Sequence, residues 1–289
     1  YFLKFIDSQG NIVGQLLVSI RTRFKGNSFR TKLFKSTPGI KQSACEWSYG
    51  PVIFNSNFDS EIYLSLKDFL KSKRFVVNGW THPLISTNLE ILKKHFQIKP
   101  WGTFLINLEQ PIDELYKNLD KHSCRKNIER SIKRGVIVEQ MTDESLSDYY
   151  DLINEMRVES GREKGDFEYL VYRWKTFKSL GYSGFMAKKN NRPVGGLLFS
   201  YMNGHIIEIG VARSKEDRQD NLYSQDLIKW KIIEWGIKNK MKYYDLTGFN
   251  PDPISEKEKG IIKYKKKWGG KPHYYYRILP QPNILTGKL

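Results

Sequence analysis

CRKNIERSIKRGVIVE, residues 124–139, is the stretch on which the fold turns. It ends a helical run that starts near Ile112 and stops at Gly135, since glycine enters the left-handed region that closes a helix without a Cβ clash. The β-branched run Val136–Val138 then switches the pattern from helix to strand. Upstream, YFLKFIDSQGNIVGQLLVSI predicts a hairpin turning at Ser8, Gln9, Gly10 and Asn11. A helix over 59–73 follows, with Ile62, Leu66, Phe69 and Leu70 on one face after the capping candidates Asp59 and Ser60. The strand RFVVNGW, a helix near 87–96 and the strand Thr103–Leu108 lead to the quoted stretch. Downstream, VIVEQM predicts a strand, 142–160 and 166–180 helices, and 183–189, 194–202 and 205–212 strands, with turns at NNRP and Asn203–Gly204. A helix over 221–238, the strand MKYYDL, a loop with Gly248, Pro251 and Pro253, a basic helix over 255–267 and the strand HYYYRIL complete the chain. The pattern is α/β in two lobes, 1–134 and 135–289, divided at Gly135, with the final strand over 273–279 free to return to the first lobe.

The 289 residues suffice for one or two compact cores, and 39% hydrophobic with 14% aromatic content excludes a disordered chain. Lys and Arg outnumber Asp and Glu by 48 to 31, a net charge of +17, which attracts polyanions or anionic membrane surfaces. Cys45 and Cys124 have no metal-ligand spacing and the histidines form no HExxH pair, so neither a metal nor another cofactor is predicted. No apolar run approaches the roughly 20 residues that span a bilayer, and the N-terminus lacks a basic-then-apolar signal pattern. The expectation is a cytoplasmic setting, open to peripheral contact with an anionic inner membrane surface.

Two signatures carry a family resemblance. The stretch at 124–139 resembles the R-x-N-I-R-x-A-x-K-x-G-V segment of the Fem family, with Glu129 and Ser131 where that pattern has Arg and Ala. YYDLTGFN at 243–250 with KGIIKYKKKWGGKPHYYY at 259–276 resembles its YDfgG and G-l-x-x-FK-x-x-FGG segments. The likeness covers most of residues 100–280 and is loose before that, chiefly at SYGPVI. It implies two tandem acetyltransferase-like (GNAT-like) lobes with mixed, splayed sheets, which the strand and helix order of the second lobe also suggests. The family opens with a strand and helix ahead of the hairpin, so either the sequence is incomplete at its N-terminus or part of the first lobe's substrate wall is absent. The implied function is transfer of an aminoacyl group from aminoacyl-tRNA to an amine of a nucleotide- or lipid-linked muropeptide.

Attack of an amine on an activated ester needs placement of both reactants and stabilisation of the oxyanion, and no covalent enzyme intermediate. KYKKKWGG places Lys263, Lys265, Lys266 and Lys267 beside Tyr264 and Trp268, a mixture suited to a phosphate and a ring. Tyr264–Lys265 falls on the family's FK pair, which the resemblance puts beside the transfer site; Trp268 reads as core. Asp245 and Gly248 end a strand where the fold's strands splay, and Asp245 either orients an amine or caps the following loop. Glu208 is an alternative acid, and Glu109, near a family acidic position, could accept the amine's proton. On the basic linker helix, Lys126, Arg130, Lys133 and Arg134 share reach of one face while Ile128 and Ile132 mark the buried one. Lys126, Arg130 and Arg134 form either a solvated cationic surface or a phosphate contact. Cys124 reads as structural.

Two other readings compete. An acyl-CoA-dependent N-acyltransferase of a sugar, lipid or amino-acid amine would carry R/Q-x-x-G-x-G/A before the long helix, where backbone N–H groups grip pyrophosphate. Arg218–Tyr223 instead has Asn221 and Tyr223 in place of both glycines, and Asp220 repels a diphosphate. A non-catalytic RNA- or membrane-binding protein would need the lysines and not the splayed-strand site.

Overall fold

The computed structural model describes residues 1–22 and 43–279. The chain forms two compact units, 1–102 with 273–289, and Thr103–Pro272.

In the first unit, β1 (Phe2–Ile6) and β2 (Ile12–Leu17) form the expected hairpin, and β5 (Val52–Ile53) pairs with β2. A second sheet orders β3 (Ser19–Thr22), β4 (Ser43–Glu46), β6 (Val76–Trp80) and β13 (Lys271–Leu279), with β4 parallel and β13 antiparallel to β6. Helix α1 (Asp59–Ser72) buries Ile62, Tyr63, Leu66 and Leu70, the three- and four-residue spacing of one helical face. Leu92 of α2 (Leu89–His95), Trp47 and Ile278 join that core. Gly79 lets the sheet accept Trp47, since a Cβ there would stand 1.9 Å from the indole. Asp59 does not cap α1: the cap position is Phe58, which makes no side-chain bond, and Asp59 is the first helical residue.

Strand β7 (Gln97–Asn107) is longer than expected and runs from the first unit into the second. The second unit orders its strands β7, β12 (Tyr243–Phe249), β11 (His205–Arg213), β10 (Arg192–Met202), β9 (Tyr182–Lys189) and β8 (Val136–Gln140). Strands β8 to β11 are antiparallel neighbours and β11–β12 is parallel, so the sheet is mixed. Helices α5 (Ser145–Glu159) and α6 (Phe167–Phe177) pack through Leu146, Tyr149, Leu152 and Trp174 in one core. A larger core gathers Leu227, Ile228, Ile232 and Ile233 of α8 (Ser224–Lys238).

Four expectations change. The predicted helix over 112–134 is two helices, α3 (Ile112–Asn118) and α4 (Lys126–Lys133), because the Asp120 carboxylate accepts the N–H groups of His122 and Ser123 and starts a new turn. On α4 the buried residues are Ile128 and Ser131, in line with buried Cys124, while Ile132 is exposed. The compact units divide at Gly102–Thr103 and not at Gly135, because α4 lays this face on α8 and Asn127 Nδ2 reaches Asp226 Oδ2 at 2.9 Å. The helix expected from 221 starts at Ser224, after the short α7 (Lys215–Gln219).

Candidate active site

The parallel ladder of β11 and β12 covers only His205–Tyr243, Ile206–Tyr244 and Ile207–Asp245. Just past it a β-bulge shifts the β10–β11 register between Leu198 and Phe199, which oppose Gly210 and Glu208. Bulges bend a strand and end its pairing. Glu208 and Leu246 therefore stand where the ladder stops, and the groups of interest collect there.

Glu208 Oε1 accepts the Tyr244 hydroxyl at 2.6 Å and the Lys229 ammonium from α8. Lys229 is 3% and Glu208 8% exposed, so both charges are buried, which only a close partner makes tolerable. Burial first, then Glu208, pushes the Tyr244 hydroxyl well above its ordinary range. Beside this pair, Asp226 of α8 accepts Lys267 Nζ at 2.5 Å, the Tyr264 hydroxyl at 3.4 Å and Asn127. Lys267 also lies 4.3 Å from the Tyr264 ring centre, a cation–π contact. Lys267 and Tyr264 are thus parts of an internal brace. Cys124 is buried near the same carboxylate and its thiol is pushed up to about 12, burial being the main cause, so it is inert as a nucleophile.

Lys265, on α9 (Glu256–Lys266), lies apart from that brace. Its Nζ donates to the carbonyls of Thr247 at 3.0 Å and Gly248 at 2.7 Å, beyond the end of the ladder. Burial lowers its pKa to about 8; Lys229 adds to the effect, while Glu208 and Asp245 oppose it.

The turn it grips is strained. Thr247 has φ of 64°, in the left-handed region that β-branched residues avoid. Asp245 Oδ1 accepts the Thr247 N–H at 2.6 Å, and His205 Nε2 stands 3.5 Å from Asp245 Oδ2. The Thr103 hydroxyl lies within reach of both Asp245 Oδ1 and the Thr247 carbonyl and has one proton to give. Asp245 is fully buried, so its carboxylate clamps this turn rather than meeting an amine.

Glu109 is not part of the constellation. Leu108 N–H bonds the carbonyl of Lys242, at the opposite end of β12 from Thr247, about 16 Å away along the strand. Lys126, Lys263 and Lys266 are exposed to solvent. Arg130 and Arg134 flank the Tyr223 ring at 5.9 and 5.3 Å, and Arg134 donates to the Asn221 carbonyl. They meet at the start of α8, where Asn221 and Tyr223 both have positive φ. There the Ser224 N–H goes to Asp217 Oδ1 at 2.8 Å, and the fully buried Asp217 is paired to Arg213 at 2.6 Å. An internal carboxylate thus occupies a helix N–H that would otherwise face an anion.

The sequence reading missed Thr103, Asp226, Lys229 and Thr247. For Asp226 and Lys229 the signal was present: charged residues interrupt the apolar face of DLIKWKII, a pattern that requires buried partners.

No family model matches the chain, and no curated protein matches its sequence. Solved structures do match. FemX superimposes with a TM-score of 0.69 at 14% identity, covering 98% of this chain and 88% of that one. The C-terminal domain of a putative lysylphosphatidylglycerol synthetase from Agrobacterium fabrum gives 0.60 at 9% identity, covering 97% and 84%. A tandem GNAT protein from the clavulanic acid biosynthesis pathway gives 0.52 at 10%, covering 96% and 82%. The mixed sheet, the ladder that parts after Ile207 and these likenesses together identify the fold as the Fem-like, acetyltransferase-type α/β fold.

Proposed function

We propose that the protein is an acyltransferase of the aminoacyl type, which moves an aminoacyl group from aminoacyl-tRNA to an amine of a nucleotide- or lipid-linked cell-wall peptide precursor on the cytoplasmic side of the membrane. The observation that carries this reading is the Lys265 ammonium, fixed by the carbonyls of Thr247 and Gly248 where β11 and β12 part. In aminoacyl transfer the neutral amine attacks the ester carbonyl and a C–N bond forms. The tetrahedral oxyanion then collapses, the ester C–O bond breaks, and the proton lost by the amine ends on the departing ribose hydroxyl. A preorganised cation in a poorly hydrated site stabilises the oxyanion or a neighbouring phosphate without reorganising. Below about pH 8 Lys265 supplies that charge.

The donor assignment draws on the resemblance of 124–139 and 243–276 to the Fem family and on the net charge of +17. Exposed Lys126, Lys263 and Lys266, with Arg130 and Arg134 at the start of α8, suit an RNA backbone or a diphosphate. The test is transfer assayed by mass spectrometry, with pools of charged tRNA and nucleotide- or lipid-linked muropeptides. An aminoacylated muropeptide that forms with the parent protein and not with Lys265→Met supports the reading. Transfer from acyl-CoA in place of charged tRNA refutes the donor assignment.

A further inference from the structure

The strained turn that Lys265 grips is held from a neighbouring strand. Among the described residues with positive φ, Asn190, Asn191, Asn203 and Asn221 are of the type that tolerates the left-handed region, whereas Thr247, at 64°, is β-branched and of the type that avoids it. In YDfgG, the segment that YYDLTGFN resembles, glycine stands at the place of Thr247, and glycine adopts this conformation unaided. A threonine stays in it only where the surroundings over-determine it.

Thr103 and Asp245 supply that constraint. Thr103 opens the buried run of β7, the neighbour of β12 in the sheet, with a polar group. It and Asp245 are both fully buried, so each needs partners inside the fold. The Thr103 hydroxyl reaches the Thr247 carbonyl at 2.7 Å and also Asp245 Oδ1, which in turn accepts the Thr247 N–H at 2.6 Å. These two side chains thus hold both backbone groups of Thr247. Phe104, next on β7, packs on Phe249 with ring centres 4.9 Å apart, so the same strand fixes the far end of the turn. With Thr247 set in this way, its carbonyl and that of Gly248 converge on Lys265 Nζ at 3.0 and 2.7 Å. Extended backbone at Thr247, with φ of about −120°, would redirect these carbonyls and part them from the ammonium.

We propose that Thr103 is a positioning residue: with Asp245 it imposes on Thr247 the conformation that glycine takes freely, and so aims the Thr247 and Gly248 carbonyls at Lys265. Its part in catalysis rests on the transfer reading, whereas its hold on the turn and on Lys265 does not.

The experiment compares the parent with Thr103→Val, Thr103→Ser, Thr247→Gly and the double variant Thr103→Val/Thr247→Gly. Valine keeps the shape of threonine without its hydroxyl, and serine keeps the hydroxyl. Two NMR signals are read: the Thr247 Cα and Cβ shifts, which report φ, and the Lys265 Cε–Hε correlation, assigned by its loss in Lys265→Met. In Thr103→Val both should leave their parent positions, and in Thr103→Ser both should stay. With glycine at 247 the turn no longer needs the hydroxyl, so the Lys265 signal of the double variant should match that of Thr247→Gly alone. Single-turnover transfer should follow the same order, with a loss of about three- to tenfold in Thr103→Val, the value of one neutral hydrogen bond, and no further loss when Thr103→Val is added to Thr247→Gly. Unmoved Thr247 and Lys265 signals in Thr103→Val overturn the proposal. So does an equal displacement of the Lys265 signal by Thr103→Val in both backgrounds, since a merely structural hydroxyl is indifferent to the residue at 247. If Thr103→Val does not fold, folding of the double variant supports the proposal and its failure to fold overturns it. Signals that move as expected while the parent shows no transfer uphold the positioning of Lys265 and refute the transfer reading instead.

Discussion

Lys265→Met separates stability from function at one atom. The ordinary lysine value is 10.5, and in the fold it is about 8. At 1.36 kcal/mol per pH unit, holding the buried ammonium costs the folded chain about 3 kcal/mol at neutral pH. Because the folded pKa is lowered, the unfolded chain binds the proton more tightly. Stability therefore rises as pH increases from about 8 to 10.5, and below 8 the full cost applies. Methionine removes that cost and leaves the Gly248 carbonyl without its donor, worth about 1–3 kcal/mol, while the Thr103 hydroxyl remains near that of Thr247. Urea melts at pH 7 should show the variant as stable as the parent or up to about 2 kcal/mol more so, with the advantage disappearing toward pH 10.5. Single-turnover transfer should fall about ten- to a hundredfold, the value of one charge-assisted contact. Lys265→Arg, which holds its charge at every pH tested, should abolish the parent's loss of rate above pH 8. Lys263→Met and Lys266→Met, both exposed, are the controls, whereas Lys267 is unsuitable because it is paired to Asp226. A variant destabilised by 3 kcal/mol or more at pH 7 would make Lys265 structural. Equal, purely salt-dependent losses in the three methionine variants would reduce it to one charge of a patch.

Asp226→Asn leaves the buried Lys267 without its carboxylate and should cost about 3–5 kcal/mol in urea unfolding; a cost below 1 kcal/mol would show that the brace is dispensable. Thr247→Gly relieves a β-branched residue at φ of 64° and should raise stability by about 1 kcal/mol, read as an upward shift in melting temperature. Acetyl-CoA and longer acyl-CoAs should bind no tighter than about millimolar in calorimetry, roughly 4 kcal/mol, because Asp217 already holds the Ser224 N–H; micromolar binding would contradict this.

Much of the element order was legible in the chain. The turn at Asn203–Gly204, the helix around Leu227–Ile233 and the strand HYYYRIL stand where the local pattern puts them. Patterns fail where a side chain competes with the backbone. Asp120 interrupts a run that is helical by periodicity, and Ile132, apolar at a helical spacing, faces solvent because Cys124, Ile128 and Ser131 fit against α8. The unit division moved for the same reason, since a linker cannot be told from a packed helix until its partner surface is known.

Of the candidate residues, Lys265 and Gly248 meet in the structure, because the family-like motif encodes a local stretch and the strand end it reaches. The sequence by itself determined the α/β order, the basic character and the segment around Tyr264–Lys265, since hydrophobic periodicity and charge are properties of neighbours in the chain. Only the tertiary structure decided which charges are working parts. It turned Lys267 inward to Asp226, sealed Asp245 beneath the Thr247 turn, set Glu109 at the far end of β12 and brought Lys229 to Glu208. Whether a charge faces water, a carbonyl or a counter-ion depends on contacts between residues tens of positions apart, and no local pattern encodes them.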